Sequence, residues 1–137
     1  MRRQLPIALY GTLRRGEANH RRLQLATRLR FVQPCKIAGR LVDLGPYPGL
    51  ASGWGIVVAE LFAPPPPAVL ATIDAFEGFD AARPEESLFV RKRATLITPR
   101  VEAWVYFYNG RDPGEEILSG DWRRRVRPMW GRQSPVL

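Results

Sequence analysis

The sequence predicts an α+β domain built on a curved or closed, largely antiparallel sheet. Three observations predict it. Apolar segments of strand length recur along the chain between turns rich in glycine and proline. Only two stretches carry the three-to-four spacing of an amphipathic helix. The strand-like segments mostly follow one another directly, over connections short enough for antiparallel pairing.

Leu5–Tyr10 is an apolar run ended by Gly11, the pattern of a buried strand entering a turn. Residues Glu17–Leu29 set Leu23, Ala26 and Leu29 among arginines, which predicts a modest amphipathic helix. Phe31–Leu44 carries Ile37, Leu41, Val42 and Leu44 around Gly39, a long strand with a bend or bulge at the glycine. After the turn-rich Gly45-Pro46-Tyr47-Pro48-Gly49, a strand returns over Trp54–Phe62 through Ile56, Val57, Val58 and Leu61. Pro64–Pro67 is a stiff connector too short to link domains, and proline suits the entry to a helix over Ala68–Phe76 that Gly78 stops. Leu88–Ile97 and Val101–Tyr108 flank Thr98-Pro99-Arg100 as a hairpin. Ile117 and Leu118 then precede Ser119-Gly120-Asp121-Trp122 and a polar end. Residues 1–127 read as one domain and 128–137 as a C-terminal tail.

A chain of 137 residues can bury one core without disulfides or metals. Its 45% hydrophobic and 25% charged residues argue against intrinsic disorder. Cys35 has no partner cysteine in the chain, which fits a reducing compartment. No apolar run is long enough to span a bilayer, and the N-terminal one is too short for a signal peptide, so the expected location is cytoplasmic with no membrane partner. The net charge of +8 is carried almost wholly by arginine, with lysine only at Lys36 and Lys92. These arginines are spread along the chain and not interleaved with aromatic side chains, so no specific nucleic-acid partner is expected. The densest run, Arg123-Arg124-Arg125 with Arg127, reads as a solvated face.

Glu77 carries the most chemical information. On a helix from Ala68 the inward stripe is Val69, Leu70, Ile73 and Phe76, and Glu77 falls on or beside it. A carboxylate there is partly desolvated, sits in the last helical turn where the dipole disfavours negative charge, and has Asp74 three residues earlier. All three effects raise its pKa towards the value of a general base near neutral pH. The pattern alone leaves open a second arrangement, with Glu77 swung into solvent at a frayed helix end. The other feature is Tyr10-Gly11-Thr12-Leu13, a strand ending in glycine where backbone N–H groups can approach and hold an anion. Taken alone, that tetrapeptide is also what an ordinary strand-to-turn junction looks like.

These two features stand in a longer series: Tyr10-Gly11-Thr12-Leu13, Asn19-His20, Leu44-Gly45-Pro46-Tyr47-Pro48, Ile73-Asp74-Ala75-Phe76-Glu77-Gly78, Leu88-Phe89-Val90-Arg91, Ala103-Trp104-Val105-Tyr106-Phe107-Tyr108 and Ser119-Gly120-Asp121-Trp122. In order and spacing, over nearly the whole length, the chain resembles the gamma-glutamylcyclotransferase-like superfamily. The resemblance implies a compact β-barrel-like sheet with flanking helices and a cavity at one end. It implies that the Tyr10–Leu13 turn binds a gamma-glutamyl group, that Arg91 contributes to substrate binding, and that Glu77 is the acid/base that cyclises the group to 5-oxoproline. Thr12 stands where many relatives have serine, and Phe89 where many have tyrosine. The implied partner is a small gamma-glutamyl substrate, with no cofactor or metal, and the implied assembly is a monomer or small homo-oligomer. A binding module that uses the same cavity without turnover is the alternative.

Other residue types offer less. His20, the sole histidine, lies in a polar helix start, and Cys35 sits between Pro34 and Lys36 without a mark of activation, so both read as structural. Tyr106 and Tyr108 share one face of the last long strand by alternation, and that face either lines the cavity or packs as ordinary core aromatics with satisfied hydroxyls. Glu60, in an apolar strand, ranks well behind Glu77.

Overall fold

The structure is a computed structural model, and it describes residues 4–111 and 114–125. The expected tail, 128–137, and Arg127 lie outside the described residues. Six strands form one sheet: β1 (Ile7–Leu9), β2 (Phe31–Asp43), β3 (Pro48–Phe62), β4 (Phe89–Thr95), β5 (Glu102–Tyr108) and β6 (Glu115–Glu116), in the order β4-β5-β1-β3-β2-β6. Neighbours are antiparallel except β1 and β5, which run parallel. The sheet curls into a half-barrel. The loop of the β4–β5 hairpin folds over to β2, where the Lys36 N–H donates to the Thr98 carbonyl at 2.9 Å and the Ile97 N–H to the Lys36 carbonyl at 2.9 Å. Helices α1 (Ala18–Arg22) and α2 (Pro67–Glu77) complete the α+β architecture. No helix among the described residues is long and apolar enough to cross a membrane.

Curvature comes from irregular pairing, because an extra residue bends the strand that carries it. Ala38 pairs with Ile56 but Arg40 with Ala51, so Ser52-Gly53-Trp54-Gly55 bulge out opposite Gly39 alone. The strand expected to begin at Trp54 therefore begins at Pro48. Its glycine-rich first half reads as a loop in sequence, yet it pairs on both sides of the bulge.

Strand β1 is buried on both faces. Ala8 and Tyr10 join Ile37, Leu41, Leu50 and Val57 inside the half-barrel, while Ile7 and Leu9 join the layer under the helices with Leu25, Phe62, Val69 and Ile73. Helix α2 has proline at its first turn, and Gly78, at φ 72°, ends it with its N–H on the Ala75 carbonyl. Val69 and Ile73 are its buried residues, and full burial of each stabilises the fold by about 1.5–3 kcal/mol.

The helix expected over Glu17–Leu29 forms only at its start. Gln24 takes a left-handed conformation at φ 54° and a 3₁₀ turn follows over Leu25–Thr27. The break turns Leu25, fully buried, into the core, whereas Ala26 of the expected stripe stays exposed. Packing of one leucine outweighs a weak helical periodicity.

Candidate active site

The chain leaves β1 through a turn in which the Arg14 N–H donates to the Gly11 carbonyl at 3.1 Å. Three groups pin this turn. The Tyr10 hydroxyl donates to the Tyr106 carbonyl at 2.7 Å, and a nitrogen of His20 pairs with the Leu13 carbonyl at 2.8 Å. The Arg15 N–H donates to Glu60 Oε1 at 2.8 Å. The N–H groups of Thr12 and Leu13 keep no acceptor among the described residues. Gly11 packs directly on Pro48, so closely that a Cβ would lie 2.7 Å from the proline Cγ.

The turn forms one side of a cavity of about 250 Å³. Ala8, Leu9, Tyr10, Leu13, Pro48, Phe89 and Tyr106 are its buried floor, and Gly11, Thr12, Asn19, Tyr47, Phe76, Glu77 and Leu88 its rim. Glu77 is half-buried, facing this space from the last turn of α2. Burial first, and then the charge of Asp74, push its carboxyl from the ordinary 4.5 up to about 7. Burial, with the Glu77 charge added, also raises the Tyr10 phenol well above its ordinary value.

A raised carboxyl pKa has a cost in stability. Between 4.5 and about 7 the folded chain holds a proton that the unfolded chain has released, so stability falls as pH rises through that window. Glu77→Gln removes the penalty. Thermal melts at pH 5 and pH 8 are expected to show the variant gaining on the wild type at the higher pH.

Asp74 orients its neighbours as well. The Arg91 guanidinium donates to it twice, from Nε at 2.8 Å and Nη2 at 3.1 Å, and the Tyr106 hydroxyl donates to Oδ1 at 2.6 Å. Burial and the Asp74 carboxylate together hold the Tyr106 phenol protonated far above its ordinary range. The structure thus brings together Glu77, Tyr10, Gly11, Thr12, Leu13 and Tyr106 from among the residues singled out in sequence. Two others stand apart. Arg91 is held on Asp74, stacks over Trp104 at 4.2 Å and does not line the cavity. Tyr108 shares the Tyr106 face, as alternation requires, but two residue pairs further along it packs on Phe89 at 5.7 Å between ring centroids. Asn19, Tyr47, Pro48, Phe76, Leu88 and Phe89 line the cavity without having been singled out as site residues. Their common sequence signal is membership of the series of short motifs that carries the family resemblance.

Behind the turn lies a buried ionic cluster. Glu60, 4% exposed, accepts from Arg15 and lies 3.8 Å from Arg14 Nε, while Arg14 Nη1 donates to Asp121 Oδ1 at 2.8 Å. Burial alone would raise the Asp121 carboxyl, but the Arg14 hydrogen bond and the Arg123 N–H carry it below its ordinary value. Arg123 donates to Glu17 at 2.9 Å and also reaches the Arg15 carbonyl. Of the described members of the arginine run expected to be a solvated face, Arg123 and Arg124 are exposed and both are ion-paired, Arg124 Nε lying 3.9 Å from Asp121 Oδ2. Arg125 stacks on buried Trp122, 3.6 Å from the ring centroid. Glu60 thus faces cations inside the fold and not the cavity. Glu60→Gln is expected to destabilise by about 1–3 kcal/mol in urea unfolding, since it leaves Arg14 short of countercharge. Burial drives the Cys35 thiol up to about 12, the mark of a structural cysteine.

The family model described as "Gamma-glutamyl cyclotransferase, AIG2-like" matches residues 7–124. A candidate gamma-glutamylcyclotransferase of Vibrio cholerae O1 is 36% identical over 121 residues, covering 88% of this chain and 96% of that protein. The gamma-L-glutamyl-butirosin B gamma-glutamyl cyclotransferase of Niallia circulans is 34% identical over 119 residues, covering 85% and 74% respectively. Among solved structures, the Escherichia coli protein ytfP superposes with a TM-score of 0.65 at 30% identity, over 90% of this chain and all of that one. A mouse AIG2-like protein shares the fold with a TM-score of 0.63 at 23% identity, over 82% of each chain. By its sequence over nearly the whole described domain, and by the half-barrel that the sequence builds, this chain belongs to the AIG2-like gamma-glutamyl cyclotransferase family of enzymes.

Proposed function

We propose that the chain cyclises a gamma-glutamyl group to 5-oxoproline and releases an amine or amino acid, with Glu77 as general acid/base. The observation that carries this reading is a half-buried carboxyl, with its pKa raised to about 7, across a small cavity from a backbone turn with unengaged N–H groups.

In this reaction nucleophile and electrophile belong to one molecule, so holding the substrate bent supplies much of the advantage. The obstacle is that the substrate α-amine is mostly an ammonium near neutral pH. Glu77 takes a proton from it, and the freed lone pair attacks the gamma-carbonyl carbon. A C–N bond forms and the carbonyl electrons move to oxygen. As the oxyanion collapses, the bond to the leaving nitrogen breaks and Glu77 returns its proton to that nitrogen, restoring its carboxylate. The second proton on the attacking nitrogen passes to the released amine, which departs as an ammonium and leaves a neutral lactam N–H. A base poised near 7 can do both at neutral pH. The N–H groups of Thr12 and Leu13 are the groups available to orient the substrate's anionic oxygens. Tyr106, fixed by Asp74, shapes the floor under them.

The test is 5-oxoproline release from a panel of gamma-glutamyl amides and dipeptides. Release of 5-oxoproline by the wild type supports the reading. Thermal stabilisation by these compounds without turnover would favour a binding module instead.

A further inference from the structure

Resting on the proposed reaction, we infer that the leaving group is an apolar, preferably aromatic amine without a carboxylate beside its nitrogen. The two sides of the cavity rim differ in chemistry. On one side lie Gly11, Thr12 and Asn19, with backbone N–H groups and a side-chain amide. The N–H groups match the α-carboxylate of a gamma-glutamyl group, and the Asn19 amide oxygen is an acceptor for its ammonium. On the other side, at the end of α2, lie Phe76 and Leu88, and Tyr47 also lines the cavity. Leu88 is held against the helix end by its N–H on the Gly78 carbonyl at 3.1 Å, and it is 44% exposed, at the mouth. Tyr47 stands edge-on to Phe89, 5.9 Å between ring centroids. In the inferred pose the group departing from the gamma-carbonyl lies past Glu77, over this apolar side.

Charge points the same way. Among the described residues, Glu77 is the only lining side chain that carries a formal charge. An amino-acid leaving group would bring its carboxylate next to Glu77 with no lining cation to meet it. Arg91, the cation nearest in sequence to this side of the rim, already spends two donors on Asp74 and stacks over Trp104. Phe89, on the floor, adds aromatic surface and no hydroxyl.

Three substrates separate the effects: gamma-glutamyl-phenethylamide, gamma-glutamyl-ethylamide and gamma-glutamyl-phenylalanine. The first two differ by a phenyl ring, the first and third by a carboxylate. Partial burial of the phenyl ring should give the phenethylamide about a tenfold or greater advantage in kcat/KM over the ethylamide. The phenylalanine compound should fall at least as far behind, and Leu88→Arg should narrow that gap by placing a cation at the mouth. Equal kcat/KM for all three, or a preference for the phenylalanine compound, overturns the leaving-group assignment and leaves the reaction standing. No 5-oxoproline from any of the three overturns the reaction itself. Because the substrate comparison is made on the wild type, the result stands even where Leu88→Arg fails to fold.

Discussion

Glu77→Gln is expected to lower kcat for 5-oxoproline release by about 10²–10⁴-fold, the range a positioned proton-transfer group supplies. The amide keeps the shape of the side chain and can still hydrogen-bond at the rim, so KM should change little. A fall in kcat with KM unchanged marks an interaction made in the transition state and not in substrate binding. The variant should also keep its circular dichroism spectrum, because Glu77 anchors nothing in the core. The buried residues of α2 are Val69 and Ile73, on the turns before it. Undiminished turnover in Glu77→Gln would remove the residue from the mechanism.

The second large effect is expected from Gly11→Ala. The new Cβ would lie 2.7 Å from Cγ and 2.9 Å from Cδ of Pro48, and a proline ring has no rotamer in which to retreat. Either the turn or Pro48 must move, and both line the cavity. Displacement of a positioning group by about 1 Å can cost as much as 10²-fold. A loss of about 10–100-fold in kcat/KM is therefore expected, read by steady-state kinetics beside a thermal melt. Thr12→Ser makes the comparison sharp. It adds no atoms and leaves the backbone N–H groups in place, so its kcat/KM should stay within a few-fold of the wild type. Wild-type kinetics in Gly11→Ala would show that the close approach of the turn to Pro48 does not set the site.

The parts of the site that were legible in sequence are those set by local geometry. The position of Glu77 beside the Val69–Ile73 stripe follows from the 3.6-residue period, and the structure puts it on the cavity rim. Alternation along β5 likewise places Tyr106 and Tyr108 on one face. Which of them reaches the cavity depends on where α2 crosses that face and on the pairing of Phe89 with Tyr108, and neither is encoded locally. Arg91 illustrates the same limit. Its motif suggests a substrate contact, but its partner is Asp74, on another element, and the ion pair turns it away from the cavity. Glu60 looked like a second carboxylate for chemistry until the turn after β1 brought Arg14 and Arg15 over it.

The fold divides in the same manner. Both proline-glycine boundaries of α2 could be read directly, because proline and glycine act on their own backbone. The length of α1 could not, since Leu25 is drawn into the core against the helical pattern. The early start of β3 was hidden too: glycines that signal a loop in sequence here frame a bulge between two paired segments.

The most direct test of the account is the pH dependence of kcat/KM for 5-oxoproline release by the wild-type enzyme. Glu77 must be ionised in the free enzyme to accept the ammonium proton, and burial with the Asp74 charge places its titration at about 7. The account predicts a tenfold fall in kcat/KM per pH unit below that value and a plateau above it. A profile that stays flat down to pH 5, with no ionisation near 7, would contradict it.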